Sequence, residues 1–564
     1  MTDGSQQHLN ILFLVSDQEY AHQAIPEGVS LPNHERLRSS GVTFVNHQVT
    51  TTVCTPSRSV MWTGQHTPHT GMWDNTNLAW ISEMDPGLPT LGHMLRDAGY
   101  YTAFKGKWHL SEVPAKGSKD ALEPYGFSDF QDWGETFGEP LDGYRRDPEV
   151  AEEAARWLKT QAGDRAEPRP WFLAVNFVNP HDIMYFDTDP EGGTQRSEIF
   201  PIFPAPDAEP YTDELAVELP ASFDDDLSAQ PEGVQAYAHL CDVTYGKIPR
   251  DRTDLWLRHV NYYVNCIRDL DRRLGTVLDA LEASGQAEDT IVVYTSDHGE
   301  LAGAHGLRQK GGVAYRETVN VPFVVVHPDG AEGVETDALG SHLDIAPTVL
   351  AIAGVTEGER EARYPALHGE NLSDLIARPE GDGPRGSPAV PGKGVLYTYD
   401  MLSTVDIDWL ARVAQATIDM GEEGPVGGDA EDEHERGLVR KALQTMQGVL
   451  RPDFSKRHNL RGIFDGRYKL VRYFALDGYN IPEGVGELRE RNDLALYDLQ
   501  TDPEERDNLA SPDHPRYDED LLATQNAKLN ALIRAEIGTD KALVKRPLLT
   551  VIGSTIGEKL RARF

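Results

Sequence analysis

Four apolar runs of strand length most strongly constrain the fold of this chain. They are residues 11–16 (ILFLVS), 171–178 (WFLAVNFV), 290–295 (TIVVYT) and 321–327 (VPFVVVH). Since apolar and polar residues do not alternate in them, each run predicts a strand covered on both faces, as in a sheet between two layers of helices. With further strands predicted over residues 42–52 and 101–106, the sequence indicates an α/β fold on a large mixed, mostly parallel sheet flanked by helices.

The pattern between and after these strands predicts helices and a second, smaller domain. Helices are predicted over residues 31–41, 88–99, 150–160, 255–284 and 341–354. A length of 564 residues exceeds one ordinary core, and the Pro/Gly-rich residues 376–393 favour a domain boundary. We therefore predict a catalytic domain over residues 1–385 and a smaller α+β domain over residues 386–564.

The rest of the chain predicts strands and loops of several kinds. Strands of the smaller domain are predicted over residues 395–399, 461–473 and 494–499, with a hairpin turn at Asp465-Gly466. Residues 183–255 are only weakly periodic, which predicts a long loop that covers a site. Residues 420–435 are predicted to form an exposed acidic loop. The tail, residues 541–564, predicts either a docked arm or a subunit contact, and we expect a homo-oligomer.

Polar residues follow the ends of several predicted strands. These are Asp17 and Gln18, Lys107 and His109, His181, and Asp297 and His298. We expect these residues to lie together at one edge of the sheet, because open α/β sheets bind ligands beyond the carboxyl ends of their strands. Carboxylates and an amide oxygen suit Ca²⁺, Mg²⁺ or Mn²⁺, and His298 inclines the set slightly to Mn²⁺. Asp17 alone fits a helix cap equally well. In an extended chain, Lys107 and His109 would point to one face.

Residues 53–64 (VCTPSRSVMWTG) place one cysteine just before a Pro-Ser turn and a helix-compatible apolar run. Cys54 would then lie at a helix N-terminus, where free N–H groups and the helix dipole favour negative charge. Arg58 adds a fixed cation one turn later. This corner suits an anionic substrate and a nucleophile, although a buried structural cysteine at a strand end fits the bare pattern equally well.

The formal net charge of −38 restricts the partners of the chain. A surface this acidic argues against nucleic acid and against an anionic membrane, and any anion site must be locally positive. No apolar run reaches membrane-spanning length, and residues 1–8 lack a secretory signal, so we expect a cytoplasmic protein. The three cysteines, Cys54, Cys241 and Cys266, do not suggest a disulfide framework.

Residues 54–58 (CTPSR), followed by Thr63 and Gly64, resemble the signature of type I sulfatases. Residues 99–110 resemble the second signature of that family. Further site segments match in the family's order over residues 10–18, 179–182 and 295–299. The resemblance implies the formylglycine-dependent arylsulfatase and phosphonate monoester hydrolase branch of the alkaline phosphatase superfamily. It also implies an alkaline-phosphatase-like fold, with Cys54 oxidised to formylglycine (3-oxoalanine) by a formylglycine-generating enzyme.

The same resemblance implies the chemistry of the site. The formylglycine gem-diol, held on one divalent metal, attacks the sulfur of an aryl or alkyl sulfate monoester and forms a covalent sulfo-enzyme intermediate, from which the second hydroxyl expels sulfate. Ca²⁺ is the expected metal and Mn²⁺ the alternative. The implied metal ligands are Asp17, Gln18, Cys54, Asp297 and His298. The implied catalytic residues are Cys54, Arg58, Lys107 and His109 at the diol, with His181 and Lys310 at the sulfate.

The sequence is also compatible with two other functions. The family pattern often has two adjacent aspartates where this chain has Asp17 and Gln18, and some phosphonate monoester hydrolases of the superfamily have Asp-Gln there. A phosphonate monoester or phosphate diester is therefore the alternative substrate. The other hypothesis is an inactive relative that keeps unmodified Cys54 and binds anions. Choline sulfate is a special case of a sulfate monoester substrate. Its quaternary ammonium group needs an aromatic or acidic cage, which the aromatic-rich residues 171–262 could provide.

Overall fold

A computed structural model defines the parts of the chain that are described below. These are residues 8–76, 81–135, 138–160, 169–197, 199–389, 392–409 and 452–540. The predicted acidic loop at residues 420–435 and the tail at residues 541–564 lie outside the described residues. The expectation of a homo-oligomer, which depends on that tail, stays a prediction.

The larger sheet has seven strands and an order that confirms the predicted mixed, mostly parallel architecture. The strands are β1 Asn10–Asp17, β2 Val42–Gln48, β3 Tyr101–Gly106, β4 Trp171–Pro180, β5 Thr290–Ser296, β6 Phe323–Val326 and β7 Val334–Ser341. Their order is β3-β4-β1-β5-β6-β2-β7, and only β6 runs antiparallel to its neighbours. β1 therefore lies in the interior of the sheet, with β4 and β5 parallel on either side.

Helices cover both faces of this sheet, which explains the absence of alternation in the apolar runs. The described helices are α1 Pro32–Ser40, α2 Cys54–Thr63, α3 Thr67–Thr70, α4 Leu91–Asp97, α5 Asp142–Thr160, α6 Glu232–Tyr245, α7 Thr253–Ala283, α8 Arg316–Val319, α9 Ile345–Ile352, α10 Glu357–Arg363, α11 Ser373–Ala377, α12 Leu402–Val405, α13 Val485–Arg491 and α14 Glu519–Leu532. In β1, Phe13 packs in one core with Trp62 of α2, whereas Leu12 and Leu14 pack in another with α5 and α7. Successive residues thus enter opposite cores.

A second, antiparallel sheet follows the Pro/Gly-rich stretch. Its strands are β8 Val395–Tyr399, β9 Asn459–Phe464, β10 Tyr468–Phe474 and β11 Asp493–Asp498, in the order β11-β10-β9-β8. The hairpin predicted at Asp465-Gly466 is present: Asp465 Oδ1 accepts the N–H groups of Arg467 and Tyr468, and Gly466 has a φ of +105°. The smaller sheet domain is therefore present, while its division from the first at residue 385 stays a prediction.

The prediction of a long loop between β4 and α7 is wrong in one part. Residues 183–255 contain the fourteen-residue helix α6, which was not predicted. Its buried face carries Val234, Tyr237 and Cys241, spaced three and four residues apart, as on any amphipathic helix. Among the described helices, none is both long enough and apolar enough to cross a membrane.

Arg385 should be a strong determinant of stability. Its buried guanidinium donates to both oxygens of Asp344, at 2.7 and 2.8 Å, and to Glu536 Oε1 of the C-terminal region at 2.9 Å. Arg385→Met would leave two buried carboxylates without this partner, so we expect a loss of about 3–5 kcal/mol in the free energy of unfolding. Urea denaturation followed by circular dichroism measures it.

Arg36→Met is the matched control for this prediction. Arg36 donates to Asp279 at 2.8 Å, but the Asp279 side chain is 75% exposed. We expect a loss below about 1 kcal/mol for this variant, because water screens exposed pairs. Equal losses for the two variants would contradict the assigned importance of Arg385.

Candidate active site

The ends of two neighbouring strands and the start of α2 build the centre of the site. Asp17 ends β1, and Asp297 and His298 follow β5, whose Ser296 pairs with Ser16. Cys54 is the first residue of α2. Ligand atoms of Asp17, Cys54, Asp297 and His298 all lie within 4.8 Å of one another. The structure therefore brings together four of the five predicted metal ligands through atoms that could bind one ion.

The donor set fits a divalent cation. His298 Nδ1 lies 3.1 Å from the carbonyl oxygen of Gly299, so a proton on Nδ1 leaves the Nε2 lone pair facing inward. Nε2 is 3.8 Å from Asp17 Oδ1 and 3.6 Å from Asp297 Oδ1. Burial and the charge of Lys310 lower the pKa of His298 well below its usual value, which keeps the ring neutral. Two carboxylates and a lone pair that face each other suit a cation bound between them.

Gln18 adjoins this set, but its side chain has protein partners. Its backbone N–H donates to Asp297 Oδ1 at 3.2 Å. Its amide oxygen accepts a hydrogen bond from Lys310 Nζ, and its amide nitrogen donates to Glu300 Oε2 at 2.5 Å. The amide is thereby oriented with its oxygen toward the lysine. The role of Gln18 as a metal ligand stays a prediction.

Arg58 joins the two acidic residues from one turn further along α2. Its Nε donates to Asp297 Oδ2 at 2.9 Å, its Nη2 to Asp17 Oδ2 at 3.1 Å, and its Nη1 to the Lys107 carbonyl at 2.7 Å. Asp17, Arg58 and Asp297 are all fully buried. The guanidinium therefore positions both carboxylates, and its predicted contact with a diol at residue 54 is not tested by these contacts.

The two carboxylates differ in their proton affinity. Burial tends to raise the pKa of Asp17, but the positive charges of Lys107, with Nζ at 2.6 Å from Oδ2, and of Arg58 hold that pKa well below its usual value. Burial and the negative charge of Asp17 raise the pKa of Asp297 to about 7, although Arg58 opposes them. Asp17 is therefore the permanently ionised member of the pair.

Lys107 and His109 reach the site by a route that differs from the prediction. The extended chain predicted over residues 107–109 is wrong, since His109 has a φ of +58°. Lys107 Nζ nevertheless lies 3.7 Å from Cys54 Sγ, and Thr55 Oγ1 donates to the His109 carbonyl at 2.7 Å. Burial, followed by the charges of Lys107 and Arg58, lowers the pKa of His109 well below its usual value, so the ring is neutral.

His181 lies beside Lys107, and Lys310 is near enough for its charge to act on His181. Burial and the charges of Lys310 and Lys107 lower the pKa of His181 well below its usual value. A Cβ on Gly138 would lie 2.8 Å from His181 Cε1 and 2.7 Å from Lys107 Nζ, so the Gly138 backbone closes this side tightly. Lysines and neutral imidazoles thus collect next to residue 54, as a locally positive anion site requires.

The unmodified Cys54 side chain is a neutral thiol in this environment. Burial and the charge of Asp17 raise its pKa to about 11, although Lys107 and Lys310 lower it. Its Sγ is 3.4 Å from His298 Nε2 and 3.7 Å from Asp17 Oδ1. Burial therefore outweighs the stabilisation that the helix N-terminus offers to an anion. A thiolate nucleophile at residue 54 is not supported.

Some residues near the site were missed or given no role in the sequence argument. Glu135 Oε1 accepts the backbone N–H of Trp108 at 2.6 Å and that of His109. Asn75 Oδ1 accepts the N–H of Thr55 at 3.1 Å. Glu135 contacts backbone groups, for which spacing gives no signal, whereas Asn75 lies near a matching segment and was left without a role.

Comparison with known proteins identifies the family of this chain. The family model described as Sulfatase matches residues 10–355. An uncharacterized sulfatase, YidJ, of Escherichia coli (strain K12) is 28% identical over 393 residues, which is 64% of this chain and 70% of that protein.

Solved structures share the fold. A 2-O GAG sulfatase has a TM-score of 0.65 and 21% identity, with 94% of this chain and 93% of that chain covered. A phosphonate monoester hydrolase of Agrobacterium radiobacter has a TM-score of 0.58 and 20% identity, with 95% and 97% covered. Because the family model matches more than half of the sequence, this chain belongs to the sulfatase family of sulfuric ester hydrolases.

Proposed function

We propose that this chain hydrolyses sulfate monoesters at residue 54, after a formylglycine-generating enzyme has converted Cys54 to formylglycine. One observation carries the proposal: Cys54 Sγ lies close both to a metal-competent set and to a buried lysine. The set consists of Asp17, Asp297 and His298, and Lys107 Nζ lies 3.7 Å from the sulfur. A nucleophile there would be within reach of both a bound cation and an ammonium group.

The proposed metal site uses Asp17, Gln18, Asp297, His298 and residue 54. Hard carboxylate oxygens favour Ca²⁺, and the imidazole keeps Mn²⁺ as the alternative. When bound, the ion would act as a Lewis acid at residue 54. Arg58 would hold the two carboxylates in place, since it already donates to Asp297 at 2.9 Å and to Asp17 at 3.1 Å.

The chain itself would bind and neutralise the sulfate group. Lys107 and Lys310 would bind its oxygens. Lys107 Nζ lies 3.7 Å from Cys54 Sγ, and Lys310 Nζ donates to the neighbouring Gln18 amide. Fixed cations in a buried site stabilise developing negative charge without reorganisation. His181 Nδ1 has no hydrogen-bond partner among the residues that the structure describes, so the neutral ring could bind a sulfate oxygen or protonate the leaving group. His109 would serve as the base.

An aromatic group beside His181 favours an aryl leaving group over an alkyl one. The ring centroid of Tyr185 lies 6.0 Å from that of His181 and 6.2 Å from those of Phe200 and Tyr245. Phe200 and Tyr245 stack on each other at 5.6 Å. We refer to Tyr185, Phe200 and Tyr245 as the aromatic wall. Aromatic pairs of this kind contribute about 0.5–1.5 kcal/mol beyond burial.

The second candidate is a phosphonate monoester or phosphate diester hydrolase that uses the same site. The observation in its favour is the neutral amide of Gln18 next to Lys310. A second aspartate would place a negative charge against that lysine, whereas the amide leaves the positive charge of Lys310 available to an anionic centre. The structural likeness to a phosphonate monoester hydrolase agrees with this candidate at the level of the fold.

Substrate assays rank the two functions. With formylglycine-containing protein and Ca²⁺ or Mn²⁺, we expect kcat/KM for an aryl sulfate to exceed that for the matching aryl phosphonate monoester. Cys54→Ala is the control and should lose both activities by at least about 10³-fold, because it removes the proposed nucleophile. The reverse ranking would establish the second candidate, and no turnover of either substrate would leave an anion-binding relative.

Thiol counting tests the conversion of Cys54 without any substrate. All three cysteines are buried, and burial raises the pKa of Cys54 to about 11 and that of Cys241 to about 12. In native protein near neutral pH the thiolate fraction is below about 10⁻³, so Ellman's reagent should react very slowly. In denaturant it should count two thiols in converted protein, because one of the three cysteines has become an aldehyde. A count of three would mean that Cys54 is unmodified.

Tyr185→Ala tests the aromatic wall. We expect kcat/KM for an aryl sulfate to fall about tenfold, the equivalent of the ~1.4 kcal/mol that one aromatic contact contributes. Activity on an alkyl sulfate should change less than threefold, about the spread of a surface substitution. Tyr144→Ala is the control, since Tyr144 is 36% exposed and contacts Tyr211 instead. Equal losses on both substrates would argue against an aromatic leaving-group site.

A further inference from the structure

The turn after β3 carries Lys107 and His109 and adopts an unfavourable backbone conformation. Gly106 has a φ of +88°, and a Cβ there would lie 1.8 Å from the carbonyl oxygen of Asn176. His109 has a φ of +58°, in the left-handed region that residues other than glycine adopt at a cost. Trp108 between them is fully buried and packs on Phe104 and Tyr125. Contacts outside the turn must therefore keep it in this conformation.

One segment, residues 128–135, runs along the outer side of the edge strand β3 and supplies those contacts. Ser128 forms a parallel bridge with Ala103 of β3. Beyond Ser128, it is the side chains of this segment that bind the backbone of β3 and of the turn after it. Gln131 Oε1 accepts the N–H of Gly106 at 3.0 Å, and its Nε2 donates to the Gly106 carbonyl at 3.1 Å. Glu135 then continues the series at the turn itself.

Glu135 holds two consecutive backbone N–H groups on one carboxyl oxygen. Oε1 accepts from Trp108 N at 2.6 Å and from His109 N, while Thr55 Oγ1 binds the carbonyl of His109 at 2.7 Å. The backbone of His109 is thus fixed on both sides, once from the residue next to Cys54 and once from Glu135. The other oxygen, Oε2, is buried and has no hydrogen-bond partner among the described residues.

We propose that Glu135 is a positioning residue, which fixes the Lys107–His109 turn through these two hydrogen bonds and so places the Lys107 ammonium and the His109 ring at residue 54. The proposal rests on the function proposed above for this site. Glu135 acts through the turn, so Oε1 matters as an acceptor and not as a charge. An amide oxygen at the same place should serve equally well.

The protonation state of Glu135 is consistent with that role. Burial raises the pKa of Glu135 to about 8, against the lowering effects of the His109 and Trp108 N–H groups and of Arg58 and Lys107. The usual pKa of a glutamate is about 4.3, so the carboxyl group is protonated at neutral pH. The stability that this neutral form contributes is complete at acidic pH and is lost as the pH rises through about 8.

Three variants test the proposal on the full-length, formylglycine-containing protein with an aryl sulfate. Glu135→Gln keeps an acceptor oxygen, and we expect its kcat within about threefold of wild type at neutral pH. Glu135→Ala removes the acceptor, and we expect kcat to fall about 100-fold with a smaller change in KM, because a displaced catalytic group mainly costs turnover. Asp132→Asn, at an exposed position three residues away, is the control and should behave like wild type.

A crystal structure of each variant with unmodified Cys54 gives a readout that does not depend on turnover. We expect His109 to leave the left-handed region in Glu135→Ala and to keep it in Glu135→Gln. The proposal is overturned if the alanine variant retains both the turn and the kcat of Asp132→Asn, or if the glutamine variant loses as much activity as the alanine variant. Should the wild type hydrolyse no sulfate or phosphonate ester, the proposed function fails, and the conformation of His109 still decides the role of Glu135.

Discussion

The catalytic edge of the large sheet depends on one buried contact, in which the guanidinium of Arg58 lies between the carboxylates of Asp17 and Asp297. An unpaired buried charge costs several kcal/mol, so none of the three side chains could be buried alone. The contact forms only when β1, β5 and α2 are correctly placed against one another. It is shielded from water because helices cover both faces of the sheet. The same interaction therefore links the folding of the sheet to the geometry of the site.

This arrangement also explains how a chain with a net charge of −38 can offer an anion site. Charges on the surface are screened by salt over about 8–10 Å, whereas buried charges act through a much lower dielectric. Lys107 is buried beside Asp17, and Lys310 donates to the uncharged amide of Gln18. The local field at residue 54 is consequently set by the buried charges around it, Lys107 and Lys310 among them, and not by the acidic surface.

The sequence could predict those parts of the structure in which the types of side chain form a recognisable pattern along the chain. Asp17 and Asp297 could be placed because burial on both faces removes alternation from β1 and β5, and because each run ends in a polar residue. Glu135 could not, since its partners are the backbone N–H groups of Trp108 and His109, which every residue but proline offers. The left-handed φ of His109 could not be predicted for a related reason. The fold imposes it, and the modest enrichment of histidine in that region is too weak to indicate a single position.

The environment of Cys54 bears on what residue 54 must be. A reactive thiolate needs surroundings that stabilise the sulfur anion, but burial and Asp17 raise the pKa of Cys54 to about 11. The neighbouring cations are directed elsewhere, because Arg58 binds the two carboxylates and Lys107 lies closest to Asp17. Two carboxylates and the inward lone pair of His298 suit a divalent cation beside an oxygen-bearing residue 54, and they disfavour a sulfur anion. A neutral Cys54 thiol is therefore no nucleophile in these surroundings, so the hydrolysis proposed for this chain depends on the conversion of residue 54.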